Sequence, residues 1–471
     1  MTIDAIVNEL NSILWGPVFL ALLVGTGVYL SARVGFIQFS KFGYVMKHSL
    51  GRIFVKTKTN EGEVTPFQAL TTALSATVGT GNIAGVTGAI AIGGPGAVFW
   101  MWVSALFGMV TKYSEVFLAV KYREKNAKGD WVGGPMYYIK NGLGKSYHWL
   151  AVLFCLFGGI AAFGIGNMSQ VNTIASAINT VLNSYNVNVS TFVLMGQEVP
   201  LSSLIVGIIV SMLIALVLFG GIKRIGKVAE LLVPVMSLIY IVCALFVIVT
   251  NVGYLGTIFA MIFKGAFNAQ AAIGGAVGIT IMETMKRGVG RGVFSNEAGL
   301  GSAPMGHAST SETNPVKQGL YGIFEVFADT LVICTLTAVV LLCGYCNGVA
   351  IAWGESAGAE LISASFSMSM GSHLGALVLA VCIALFAFST ILSWALYGTR
   401  CCEFLLGVKS IRWYQVAFLL IIVLGACLKL GLVWNISDVL NGMMMIPNII
   451  ALLALSPIII KETKDYFRNR E

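Results

Sequence analysis

From Ser75 to Gly85 the chain reads SATVGTGNIAG. Gly79, Gly81 and Gly85, with Thr77, Thr80 and Asn82 between and beside them, fall near the midpoint of an apolar run over 66–92. Each Gly costs roughly 1 kcal/mol in a helix relative to Ala, so this clustering predicts a membrane helix that unwinds locally and resumes. Unwound backbone in a bilayer is tolerated only where it lines a cavity or is buried in protein, and there its amides and carbonyls become ligands. The competing reading is a small-residue face for close helix packing.

The surroundings of this stretch agree with a membrane setting. Of 471 residues, 57% are hydrophobic and 11% charged, against roughly 25% charged in soluble domains; mean hydropathy is +0.85. Runs of 18 or more apolar residues give eleven candidate spans: 13–32, 66–92, 96–121, 148–183, 201–220, 228–250, 269–287, 318–344, 374–398, 412–431 and 434–459. Segment 254–267 is too short to cross and reads as an interfacial helix. The chain is thus one transmembrane domain, 1–471.

Lys and Arg concentrate in alternate loops: 33–58, 121–145, 223–227, 286–317, 400–412 and 461–470, with Lys264 and Lys429 on the other side. The positive-inside rule puts the amino terminus outside and the carboxyl terminus in the cytoplasm, which needs an odd number of spans. The net charge of +8 is then an orientation signal, with no bearing on nucleic acid. The start of the chain lacks the basic region and cleavage site of a signal peptide, so the first span is expected to be retained. The partners expected from this reading are the lipid bilayer and a small solute.

Several chemistries lack their residues. Gly221–Val228, GIKRIGKV, has Walker-like spacing but ends in Val where Ser or Thr must reach magnesium. His48, His148, His307 and His373 lie far apart, and nine scattered Cys suggest no disulfide framework. With no GxSxG or HExxH motif, an enzyme has no support and no cofactor is expected. Transport driven by an existing gradient is the default.

A second interruption is read at Ile273–Gly278, IGGAVG, inside the seventh span. Each broken span then opens a group of five, spans 2–6 (66–250) and 7–11 (269–459), preceded by one extra helix at 13–32. Five is odd, so the groups have opposite orientation, as in inverted-repeat transporters whose site lies between two discontinuous helices.

Val78–Asn82, VGTGN, resembles the unwound first core helix of neurotransmitter:sodium symporters. Gly93–Gly108, GGPGAVFWMWVSALFG, resembles the signature of the alanine or glycine:cation symporter family; so do FSNEAGLGSAP from Phe294 and GGPMYYI from Gly133. The resemblance implies a leucine-transporter-type 5+5 fold with eleven helices, and uptake of alanine or glycine coupled to sodium. A zwitterion needs donors for its carboxylate and acceptors for its ammonium. The half-helix after the break aims amides at an anion, which assigns the carboxylate to Thr80 and Gly81, the positions the resemblance also indicates.

Carbonyls of Ile273, Gly274 and Gly275 and the side chain of Gln170 are the ammonium acceptors expected. Gln170 and Asn167 share a helix face, where site lining and helix-to-helix bonding are equal alternatives. Thr390 and Trp394, one turn apart, match family positions that cap a small side-chain pocket. For sodium, Ser389 and Thr390 with carbonyls of Ser75 and Val78 form a site of the kind this fold carries, and similarity adds a second at Asn82 and the Thr77 carbonyl. No carboxylate is read in either break, which favours sodium over proton coupling. Lys112 with Glu115, and Glu325 with Asp329, are intramembrane charges read as a structural ion pair or inner-gate network rather than a proton relay. The alternative functions are a proton-coupled symporter and a cation channel; TVGTG at Thr77–Gly81 resembles a potassium filter, but such a filter needs four copies.

Overall fold

The structure is a computed structural model that describes residues 3–52, 59–60, 62–194, 196–268, 279–428 and 431–469. Among these, nine helices are long and apolar enough to cross a membrane. Those the site depends on are α1 (Ala97–Lys121), α2 (Lys145–Ser184), α3 (Pro315–Cys346), α4 (Ser372–Leu406) and α5 (Asn435–Arg468). The predicted span 66–92 is absent from the nine for a local reason, and residues 269–278 of the predicted span 269–287 lie outside the described residues.

The first is interrupted where the glycines predicted. Thr65 and Gln68 form a reciprocal cap and Pro66 fills the first helical position, starting the helix Pro66–Thr77. Val78 then leaves helical geometry at φ −80, ψ 86. The amide of Gly79 is taken by Asn82 Oδ1 at 2.8 Å, so a side chain replaces the lost helical acceptor. The chain resumes as a helix over Gly81–Gly93, opening with a wide turn at Gly81–Gly85.

The seventh span differs from its prediction. The segment Ile273–Gly278, with Ile273, Gly274 and Gly275, lies outside the described residues. The helix that follows is Ile281–Asn296, capped by Thr280 on the Glu283 amide at 3.1 Å, and it runs nine residues past the predicted edge at 287. It stops because Glu297, Gly299 and Gly301 all adopt left-handed backbone, at φ 55, 92 and 84. A turn of helix resumes at Pro304–His307. A break therefore falls within FSNEAGLGSAP, in a stretch whose Ser, Asn and Glu read in sequence as a loop outside the membrane.

The two broken spans run antiparallel. Arg287 packs on Gly93, Arg291 on Gly85 and Phe294 by Gly81, so descending one helix means ascending the other. Lys286 and Arg287 thus sit at the Gly93 end of the bundle, on the opposite side from the basic 33–58 loop with which the charge pattern grouped them. The predicted interfacial segment is a helix at Val252–Phe267 that crosses the start of α1: Gly96 meets the Gly265 backbone, and Phe99 packs on Phe263 and Phe267 with ring centroids 6.0 and 5.4 Å apart. All nine cysteines are free.

Candidate functional site

The first break is read by α2 and α4. Thr80 donates from its hydroxyl and its amide to Gln170 Oε1, at 2.9 and 3.4 Å. Gln170 Nε2 donates in turn to the Ile165 carbonyl at 2.9 Å, within a widened turn of α2 at Gly164–Met168. Asn167, on the same face, instead donates to the Phe418 carbonyl at 2.8 Å, a bond between helices. Asn167 therefore bonds one helix to another, whereas Gln170 bonds the backbone and side chain of Thr80 at the first break.

From α4, Thr390 Oγ1 presses on Gly79, leaving no room for a β-carbon there, and donates to the Phe386 carbonyl at 3.0 Å. Ser389 donates to the Ser75 carbonyl at 3.2 Å, and Ser393 to that of Thr72 at 2.8 Å while also pairing with the Ser75 hydroxyl. Three hydroxyls of α4 thus line up along the last turn before the break. Thr77 turns its own hydroxyl back onto the Leu74 carbonyl at 3.3 Å.

One turn further, Trp394 is buried against Gly166 of α2 and donates Nε1 to Glu297 Oε1 at 3.0 Å. Ser302 donates to the other oxygen of that carboxylate. Trp394 therefore reaches the second break, and α4 spans both. Glu297 places a carboxylate at the break after Asn296; the expectation of breaks free of carboxylates concerned Ile273–Gly278, which lies outside the described residues.

Another carboxylate stands behind Asn82. Asp329 accepts from Asn82 Nδ2 at 2.6 Å, Ser295 at 2.9 Å and Thr330 at 2.8 Å, all fully buried. These donors come from both broken spans and from α3. Sequence spacing paired Asp329 with Glu325, four residues away, yet the two point into different clusters.

Glu325 pairs with Lys112 Nζ at 3.3 Å and lies 3.1 Å from His307 Nε2, whose other ring nitrogen meets Gln318 at 2.9 Å. Glu115 accepts from the Gly299 amide at 3.0 Å and from Asn448 at 2.5 Å. These groups form a fully buried polar layer next to the break after Asn296. Beneath it, outside the membrane-spanning segments, Arg123 donates to carbonyls of Ala308, Thr310 and Glu312 at 3.1, 2.5 and 3.0 Å and stacks over Trp131. Burial pulls the Arg123 guanidinium down to about 10.

On the opposite side the bundle is open. A cavity of 560 Å³ reaches Thr80 and Gly81, bounded by Asn172, Thr173 and Phe294. Of the predicted substrate residues, Thr80 and Gly81 line this cavity, Gln170 and Thr390 stand directly behind them, and Trp394 lies deeper at the second break.

Sequence comparison agrees over the full chain. The model of the sodium:alanine symporter family matches residues 1–471. The sodium/alanine symporter AgcS of Methanococcus maripaludis is 44% identical, covering 100% of this chain and 99% of that protein. The probable sodium/glutamine symporter GlnT of Bacillus subtilis is 36% identical, covering 100% and 92%. Among solved structures, MhsT in complex with L-phenylalanine aligns with a TM-score of 0.57 at 12% identity, over 86% of this chain and 99% of that one, a likeness of fold. A bundle of apolar helices with two broken spans facing one cavity, matched end to end by one family model, is a multi-pass membrane transporter, and the chain belongs to the sodium:alanine symporter family.

Proposed function

We propose that this chain takes up a small neutral amino acid, alanine or glycine, together with sodium, by alternating access across the cytoplasmic membrane, with its amino terminus outside and its carboxyl terminus in the cytoplasm. In this reading the nine continuous helices and two broken ones make eleven spans, one extra helix followed by two inverted groups of five, the second opening on the helix at Ile281–Asn296.

The observation that carries the reading is the contact of Thr80 and Gly81 with the open cavity while Gln170 and Thr390 stand behind them. The substrate carboxylate takes the amides and hydroxyl at Thr80 and Gly81, where the half-helix begins. Its ammonium takes Gln170 and carbonyls of the second broken span. Thr390 and Trp394 close on the small side chain. One sodium takes the carbonyls of Ser75 and Val78 with Ser389 and Thr390, since Ser389 already meets the Ser75 carbonyl. A second takes the region of Thr77 and Asn82, where Asp329, Ser295 and Thr330 supply further oxygens suited to a hard cation.

Closure of the cavity on the loaded site and opening of the Lys112–Glu325 layer would complete the cycle. A second reading, coupling to protons, has one observation in its favour: the carboxylates Glu297 and Asp329 lie buried at the two breaks. Uptake of radiolabelled alanine, glycine and glutamine into proteoliposomes separates these. Sodium-driven accumulation of alanine or glycine is expected; accumulation driven by a pH gradient with potassium replacing sodium would overturn the ion assignment.

A further inference from the structure

Two turns on the side of the bundle that carries Arg123 hold a group of charges that transport does not use. Residues 219–227, FGGIKRIGK, join the membrane helices Leu201–Leu218 and Gly221–Thr250 and include most of the Walker-like string. Residues 407–413, GVKSIRW, lead from α4 into the helix Val408–Cys427. Helices Leu201–Leu218 and Val408–Cys427 pack antiparallel: Ser211 donates to the Leu419 carbonyl at 2.9 Å, and Gly207 meets Val423 and Ala426. Their turns therefore lie side by side, with the Arg412 guanidinium 5.9 Å from the Phe219 ring centroid.

Lys223, Arg224, Lys227, Lys409 and Arg412 are all exposed, and neither turn contains Asp or Glu. None of the five comes within 4.0 Å of a carboxylate among the described residues. The tendency of loops on one membrane side to be basic explains their sign but not their isolation. On the same side Lys121 pairs with Glu462, Lys140 with Glu124, Arg400 with Glu403 and Arg468 with Asp465. Arg224 is also held in place: it folds over Gly220, where a β-carbon would not fit, and donates to the Leu216 carbonyl at 2.6 Å. Five like charges on adjoining turns repel one another and call for an anion.

Both turns end membrane spans, which puts them at the level of phospholipid headgroups. Phe219, Leu406 and Trp413 are exposed beside the cations, Trp413 to 79%, and an indole at this level sits among headgroups. A soluble anion would meet the cations and leave these apolar groups bare. A phospholipid brings a phosphate to the cations and acyl chains to the rest. The first turn also braces the first broken span, since Gly226 packs on Val64 and Gln68, and Gln68 donates to Glu230 at 2.8 Å.

We propose that the two turns together bind the headgroup of an anionic phospholipid. Its phosphate lies at Arg224 and Arg412, both set against Phe219–Gly220, with Lys223, Lys227 and Lys409 around it. The bound lipid steadies the turn that braces the first broken span.

Fluorescence of the purified full-length protein in phosphatidylcholine vesicles doped with brominated phosphatidylglycerol or brominated phosphatidylcholine tests this, because bromine quenches a tryptophan that touches the lipid carrying it. The signal of Trp413 is the part absent from Trp413→Phe. At Trp413 the wild type should prefer phosphatidylglycerol on the order of tenfold. The variant Lys223→Gln, Arg224→Gln, Lys409→Gln, Arg412→Gln changes only exposed charges and should show no preference. Equal quenching by the two lipids in the wild type, or a preference that survives the four substitutions, would overturn the site. Loss of the preference in inorganic phosphate, beyond that in chloride of equal ionic strength, would assign the patch to a free anion and overturn the lipid. Phosphatidylglycerol should also raise the melting temperature of the wild type and not of the variant; no such difference would overturn the bracing. No substrate enters these measurements, so their failure leaves the reading of the transport site untouched.

Discussion

Trp394 Nε1 and Glu297 Oε1 meet at 3.0 Å, joining the middle of α4 to the second broken span, one turn from the point where Thr390 presses on Gly79 of the first. One continuous helix therefore touches both interruptions, and a shift of either is felt by the other. Trp394→Phe keeps the ring and removes the donor, leaving a buried carboxylate with Ser302 alone. An unsatisfied buried group costs about 1–3 kcal/mol. Transport efficiency for alanine should fall by about 5- to 150-fold. Equal uptake kinetics in Trp394→Phe would mean that this bond plays no part in transport.

Gly79 is the position where the glycine requirement is steric. A β-carbon there would collide with Thr390 Oγ1. Gly79→Ala should lower the thermal stability of the purified protein by the roughly 1–3 kcal/mol typical of overpacking. Removing the opposing hydroxyl in the double variant Gly79→Ala, Thr390→Ala should restore part of that loss. Additive destabilisation in the double variant would show that the collision is relieved some other way.

Asp329 distinguishes sodium from a bystander. Its carboxylate collects donors from Asn82, Ser295 and Thr330, which together present four buried side chains to a cation. Asp329→Asn keeps the shape and removes the charge. The sodium concentration for half-maximal uptake should rise by on the order of tenfold, a coupling change of about 1.4 kcal/mol, with less effect on alanine affinity at saturating sodium. Titration of uptake against sodium reads this directly, and an unshifted midpoint would remove Asp329 from the ion site.

The legibility of these features follows from what each depends on. The first break was readable because its cause, three glycines in seven residues, is local and lies within an apolar run. The break after Asn296 was not readable because Glu297 and its neighbours are polar, and a polar stretch next to Lys and Arg reads as a loop. What keeps it in the membrane is partners distant in sequence: Trp394 for Glu297, and Glu115 and Asn448 for Gly299. The roles of Asn167 and Gln170 were undecidable for the same reason, since the helix face they share says nothing of the neighbour each one meets. Lys112 was paired in sequence with Glu115, three residues on; in space its partner is Glu325 on α3.

That partnership gives the last prediction. Lys112 and Glu325 are both fully buried, 3.3 Å apart, and His307 holds the second carboxylate oxygen. Taking one charge away strands the other in a low-dielectric layer, which costs about 3–5 kcal/mol, whereas replacing both together is often neutral. Lys112→Met and Glu325→Gln should each therefore lower the melting temperature sharply, and the double variant should recover most of the loss. If the layer also seals the inner side during uptake, the double variant should fold yet leak, losing accumulated alanine faster than the wild type once the sodium gradient is dissipated. A stable double variant that retains alanine as well as the wild type would confine the pair to a structural role.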